Sequence, residues 1–262
     1  MVDAARRRAE QRHDPAALAG VGAVVHLAGE NIAAGRWIAR RKAAIRTSRV
    51  GPTRLLAAAC AARADRPAVF IGASATGIYG DRGDERLDES AAPGAGFLAD
   101  VCAEWESALA PAATAGIRTV ALRTGVVLTP TGGALAKMLP LFRLGLGGRL
   151  GSGRQWFSWI VLGDLLGAIE HVLDAPDVAG PVNAVAPGAV TNAEFTATLA
   201  AALRRPAFLP APAFALKLAL GEMAEAALLA GARVAPARLL ASGFVFRWPQ
   251  LAPALRHLLN PV

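Results

Sequence analysis

The chain has 262 residues, 54% of them hydrophobic and 18% charged, enough apolar content for one large globular domain or one domain with a small appendage. That composition excludes a disordered or fibrous chain. The longest stretch without a charged residue, Val178 to Ala193, has sixteen residues and contains Pro181 and Pro187. It falls short of the roughly 18 apolar residues that a membrane span needs, so a soluble protein is expected. Net charge is +8, and it is concentrated: residues 1–66 hold 13 Lys/Arg against 5 Asp/Glu, while residues 67–262 hold 15 of each. Arg36, Arg40, Lys42, Arg46 and Arg49 fall at helical spacings without interleaved aromatics, which reads as a solvated helix face rather than a nucleic-acid footprint. The polar N-terminus has no apolar signal region, and Cys60 and Cys102 are too few for a disulfide framework. A reducing, cytoplasmic setting is expected, with neither nucleic acid nor membrane as a partner.

In chain order, Ala23 to Ala28 is a short β-branched run ending at Gly29, which fits a buried parallel strand. A long helix follows, about Trp37 to Ala64. Val69 to Ser74 is the next buried strand; it opens into a Gly/Asp-rich loop, Gly77 to Gly96, before a helix from about Leu98 to Ala115. Arg118 to Leu128 is a third strand. Beyond Pro130 come a helix near Gly133 to Leu144, a glycine-rich stretch to Gly153, an aromatic strand Gln155 to Leu162 and a helix from Asp164. Pro181 to Val185 is another strand, and Thr191 to Leu203 a helix with Thr191 or Asn192 as its N-cap. Ala/Pro-rich helices then lead to Phe244–Trp248 and a last helix from Gln250. One crossover per strand and no hairpin signal predict an α/β fold, a parallel sheet with helices on both faces. Ligands on such sheets bind at the carboxyl ends of the strands, here Leu27-Ala28-Gly29, Ala73-Ser74-Ala75 and Arg123-Thr124-Gly125.

Several segments together are more specific. Val25-His26-Leu27-Ala28-Gly29, Ser74-Ala75-Thr76-Gly77-Ile78-Tyr79-Gly80-Asp81, Arg123-Thr124-Gly125-Val126-Val127-Leu128 and Gly151-Ser152-Gly153-Arg154-Gln155 with Ser158-Trp159-Ile160 resemble the extended short-chain dehydrogenase/reductase superfamily. Gly29-Glu30-Asn31-Ile32, Arg36-Trp37, Trp105-Glu106 and Lys137 to Gly148 resemble its "epimerase family protein" subfamily. That subfamily carries a C-terminal domain of unknown function, which Pro236 to Leu259 resembles. The resemblance runs from about residue 20 to the end. It implies a doubly wound, Rossmann-like sheet, a bound NADP or NAD, and a smaller C-terminal substrate lobe. The expected division is 1–145, with 155–190 contributing, for the dinucleotide-binding part and 191–262 for the lobe.

Two departures from the pattern stand out. Such domains open with a strand, a glycine turn and a helix whose N-terminus takes the pyrophosphate. Residues 1–20 contain one glycine, Gly20, and no apolar strand, so the first strand-turn-helix unit is expected to be missing and the His26 strand to become an open edge. A partner chain, in a homo-oligomer or otherwise, would be one way to cover that edge. The second departure is chemical. The superfamily's Tyr-x-x-x-Lys proton-transfer pair is absent, since the one tyrosine is Tyr79 and Gly83 follows it at i+4. On the helix where the pair would lie, the registers are Phe97 with Val101 or Leu98 with Cys102.

What remains yields the candidate site. Ser74 matches the superfamily serine and would orient a substrate hydroxyl or the nicotinamide amide, or else cap its own turn. Tyr79 is either a displaced acid/base group or a structural turn residue. Leu27, Ala28, Gly29, Ala73, Arg123 and Thr124 would line the cofactor. Arg154, with Trp159 nearby, would bind an anionic substrate group, since a guanidinium at a loop edge pairs bidentately with carboxylate or phosphate. Phe157 and Val161 stand where nucleotide-sugar relatives have Arg and His, which argues against that substrate class. No Cys/His cluster has metal spacing, and His26 reads as a satisfied core residue. Three functions stay open: an NAD(P)-dependent oxidoreductase of epimerase/dehydratase type on a small polar substrate, a catalytically silent dinucleotide sensor or scaffold, and a chain that binds no cofactor.

Overall fold

A computed structural model describes residues 15–259. The expectation that residues 1–20 hold no strand falls largely on residues 1–14, outside the described residues. Four parallel strands form the main sheet: β1 (Ala23–His26), β2 (Val69–Ala75), β4 (Arg118–Thr124) and β8 (Gly180–Ala184), in the order β1-β2-β4-β8. Among the described residues β1 is hydrogen-bonded on one side only, to β2.

Alternation along these strands explains why both faces carry helices. Val69, Ile71, Val120, Leu122 and Val182 point to one face, where they pack with Leu165, Ile169 and Val172 of α5 (Leu162–Asp174). Phe70, Ala121 and Val24 point to the other, against Ala57 and Cys60 of α1 (Ala39–Ala61) and Leu109 and Ala112 near α3 (Ala110–Thr114). A strand buried on both faces must read as an apolar run, as Val69 to Ala73 does. Leu239 of α8 (Ala237–Ala241) and Phe246 also join the first face, so the C-terminal segment helps to cover the sheet.

Three expected elements are subdivided. The helix after the 77–96 loop breaks after Ser107 into α2 (Phe97–Ser107) and α3. The expected strand 118–128 divides at Gly125: β4 stays in the main sheet, whereas β5 (Val126–Leu128) pairs with β7 (Trp159–Val161). A Cβ on Gly125 would lie 2.6 Å from the Ser158 carbonyl oxygen and 2.7 Å from Val185 Cγ1, so the crossing of chains there requires glycine. The aromatic strand likewise divides at Ser158, whose hydroxyl donates to Ala232 O at 2.7 Å and accepts from Val234 N at 3.0 Å. Its first part, β6 (Trp156–Phe157), pairs antiparallel with β9 (Val190–Thr191). Two further strands, β3 (Arg86–Leu87) and β10 (Arg233–Val234), pair with each other.

α4 (Gly133–Arg143), α6 (Asn192–Leu203) and α9 (Leu251–Leu259) bury Leu135, Leu139, Phe195, Leu199 and Leu255 in one further core around Trp159. Thr191 is the N-cap of α6, and its side chain and that of Glu194 form a reciprocal capping box. α7 (Ala213–Leu220) buries none of its residues. Among the described residues no helix is long and apolar enough to cross a membrane.

Candidate functional site

The carboxyl ends of the parallel strands form one crest. On its β1 side Leu27, Ala28 and Gly29 are exposed, Leu27 by 51%. The loop beyond them is held by α1. Arg49 Nη2 donates to Glu30 O at 2.8 Å, Ser48 Oγ accepts from Glu30 N at 3.0 Å, and Arg41 pairs with the Glu30 carboxylate at 2.7 Å. Trp37 Nε1 donates to Ile32 O at 2.8 Å. Part of the arginine-rich stripe thus fastens this loop instead of facing only solvent. His26 is half-buried, and its Nε2 has no hydrogen-bond partner among the described residues, so it is not the satisfied core residue expected. Burial pushes its pKa below the ordinary histidine value.

Beneath the crest lies a connected polar network. Glu106, on α2, accepts from Ser74 Oγ at 2.7 Å and takes a two-pronged pair from Arg123, Nε at 2.8 Å and Nη2 at 2.9 Å. Arg123 Nη1 donates to the Tyr79 hydroxyl at 2.9 Å. That hydroxyl donates to Asn183 Oδ1 at 2.7 Å, and Asn183 Nδ2 donates to Ala235 O at 2.9 Å. The Asn183 amide reaches Glu89 Oε1 at 3.0 Å. Burial raises the Tyr79 pKa, partly offset by Arg123. Burial also opposes the Arg123 charge, but the Glu106 carboxylate outweighs it and holds the guanidinium pKa above its ordinary value. Both groups therefore hold their protons throughout the physiological range.

On α2, the two registers where a Tyr/Lys pair would lie are packed. Phe97 meets Trp37 edge-on at 5.1 Å, and Val101 shares a buried cluster with Trp37, Ile45 and Met223, against which Leu98 also packs. Cys102 lies against Ile78 and Tyr79; burial, then the Glu106 charge, pushes its thiol up to about 11.

Residues 2–186 match the model of the NAD dependent epimerase/dehydratase family. The chain belongs to that family. Residues 211–258 match a domain of unknown function, DUF1731. An epimerase family protein of Mycobacterium tuberculosis is 47% identical over 244 residues, covering 93% of this chain and 80% of the relative. The crystal structure of human epimerase family protein SDR39U1 (isoform 2) with NADPH superposes with a TM-score of 0.90 at 36% identity, covering 98% of this chain and 86% of that one. A dTDP-glucose 4,6-dehydratase from Streptomyces venezuelae, at 18% identity and a TM-score of 0.70, shares the fold.

Within this family member the candidate residues divide into three groups. Ser74, Tyr79 and Arg123 come together through Glu106 and are 4%, 0% and 5% exposed. Leu27, Ala28 and Gly29 form the open strand end, with Ala73 buried and Thr124 half-buried on the neighbouring strands. Arg154 is exposed on the loop before β6, and Trp159 is fully buried, donating from Nε1 to Gly188 O at 2.8 Å. The open strand end could hold the sugar and base of a dinucleotide. Arg123 is turned away from its phosphates: Glu106 takes Nε and Nη2 of the guanidinium and the Tyr79 hydroxyl takes Nη1. Among the described residues no group of His, Cys, Asp and Glu gathers that could hold a metal ion. Sequence reasoning passed over Glu106, Asn183 and Glu89. Glu106 had a signal: it stands at i+4 from Cys102 on the stripe that α2 buries. Asn183 and Glu89 had none, because their partners lie more than fifty residues away.

Proposed function

We propose that the chain is an NAD(P)-dependent oxidoreductase of the epimerase/dehydratase type that acts on a small polar substrate. In this reading Leu27, Ala28, Gly29, Ala73 and Thr124 flank the dinucleotide, and Arg154 receives an anionic group of the substrate. A nicotinamide bound there supplies the hydride donor or acceptor. Ser74 spends its proton on Glu106, so toward a ligand it offers lone pairs and accepts a hydrogen bond from a hydroxyl or carboxamide. Tyr79 and Trp159, both without exposed surface, act from behind: one steadies Arg123, the other β7. The observation that carries the reading is the open Leu27-Ala28-Gly29 strand end in a chain so similar to an NADPH-bound relative.

The test is a thermal-shift titration with NADPH and with NADH. Stabilisation of about 2.7 kcal/mol is expected at a hundredfold excess over Kd; no response to either cofactor overturns the proposal. A second reading, a dinucleotide sensor without turnover, is favoured by the apolar packing of Phe97, Leu98 and Val101. Absorbance of the loaded nicotinamide during challenge with small hydroxy and carbonyl compounds separates the two: oxidation or reduction supports the enzyme, and binding without any redox change supports the sensor.

A further inference from the structure

The ends of α4 and α6 meet at the surface. Gly145, in the left-handed region at φ 73°, sits where a Cβ would lie 3.3 Å from Pro206 Cγ, and Leu209 N donates to Gly147 O at 3.3 Å. Residues 144–147 and 206–209 are therefore neighbours. On them stand Leu144, Leu146, Phe208 and Leu209, exposed by 72%, 50%, 71% and 46%. A cluster of large apolar side chains left in water marks an interaction surface.

The charges beside it have one sign. Arg143, Arg204 and Arg205 are exposed, and none forms an ion pair among the described residues. No Asp or Glu occurs between Glu106 and Asp164, nor between Glu194 and Glu222, so both segments and their flanks are free of negative charge. A second copy of the chain would bring the same arginines against these and be repelled. A surface that is negative, laterally extended and apolar just below its charges satisfies both halves of the patch at once: the arginines meet the headgroups and the Leu and Phe side chains enter the acyl boundary.

We propose that this face docks the protein peripherally on anionic lipid bilayers. With no membrane-spanning helix among the described residues, binding through this face is expected to be reversible and strongly salt-dependent.

Co-sedimentation of the full chain with phosphatidylcholine vesicles, with and without 30% phosphatidylglycerol, tests this. Partitioning is expected only with the anionic vesicles, weakened by 0.5 M salt. Each arginine near such a surface is worth about a factor of five, so Arg204→Gln with Arg205→Gln should weaken partitioning about thirtyfold. Leu144→Ser with Phe208→Ser should weaken it more than tenfold. All four side chains are exposed, so unchanged thermal unfolding of the variants is expected and shows that the loss lies at the surface. The proposal is overturned by no binding to anionic vesicles, by binding that both double variants retain, or by patch-dependent self-association that occurs without lipid. Capture by an acidic peptide in preference to vesicles likewise overturns it in favour of a protein partner.

Discussion

Removing Glu106 tests the polar network most directly. The Arg123 side chain is 7% exposed and that of Glu106 17%, so the pair is largely withdrawn from water. Glu106→Ala deletes both carboxylate acceptors of the guanidinium, leaving it the Tyr79 hydroxyl alone, and with them the acceptor of the Ser74 hydroxyl. Leaving a buried charge without its partner costs about 3–5 kcal/mol, against about 1 kcal/mol or less for a solvent-exposed pair. For a chain of this size that corresponds to a fall in Tm of roughly 6–20 °C. Urea unfolding followed by circular dichroism measures it, and an unchanged m-value shows that the same surface is exposed in both proteins. Replacing the pair with apolar side chains, Glu106→Leu with Arg123→Met, should cost less than Glu106→Ala alone, because no charge is then stranded. A loss below about 1 kcal/mol for Glu106→Ala would show that water reaches Arg123 and that the network does not hold the strand ends together.

Three further outcomes follow from the same geometry. Because burial sets the His26 pKa below its unfolded value, the unfolded chain binds the proton more readily. Stability is then lost as pH falls from just above 6.5 toward the folded pKa, and His26→Gln should flatten the pH dependence of Tm between pH 7 and 5.5; an unchanged slope refutes this. With the Cys102 thiol pushed up to about 11 and Cys60 also raised, both buried, a thiol reagent at pH 8 should modify neither until the protein unfolds; rapid labelling of the native chain would contradict it. Gly125→Ala, placing a methyl 2.6 Å from the Ser158 carbonyl oxygen, should destabilise by about 1–3 kcal/mol in urea unfolding, and a neutral result would mean that β5 and β7 can separate at no cost.

The fold was legible where its signal is local. Val69 to Ala73 is apolar at every position because both faces of β2 are covered, and the apolar run alone called for a parallel strand. Thr191 and Glu194 stand three residues apart, so the capping box could be read without tertiary information. The divisions at Gly125 and Ser158 were not legible. They arise from a carbonyl and a valine brought in from other parts of the chain, and a glycine within a strand pattern does not say what approaches it. The site shows the same limit in a more consequential form. The sequence singles out Ser74 by its match to the superfamily serine, Tyr79 as the one tyrosine and Arg123 by its strand-end place, the first two readable as turn residues as well, and the structure ties all three together through Glu106. A serine, a tyrosine and an arginine at strand ends have the same spelling whether they face a substrate or a carboxylate. What distinguishes the cases is one helix turn: Glu106 at i+4 from Cys102 aims a carboxylate at β2 and β4, while Phe97, Leu98 and Val101 on the preceding turns fill with apolar packing the space where a proton-transfer pair would stand. α2 in this chain therefore fixes the strand ends through Glu106, while the positions of the proton-transfer pair itself carry apolar side chains and Cys102.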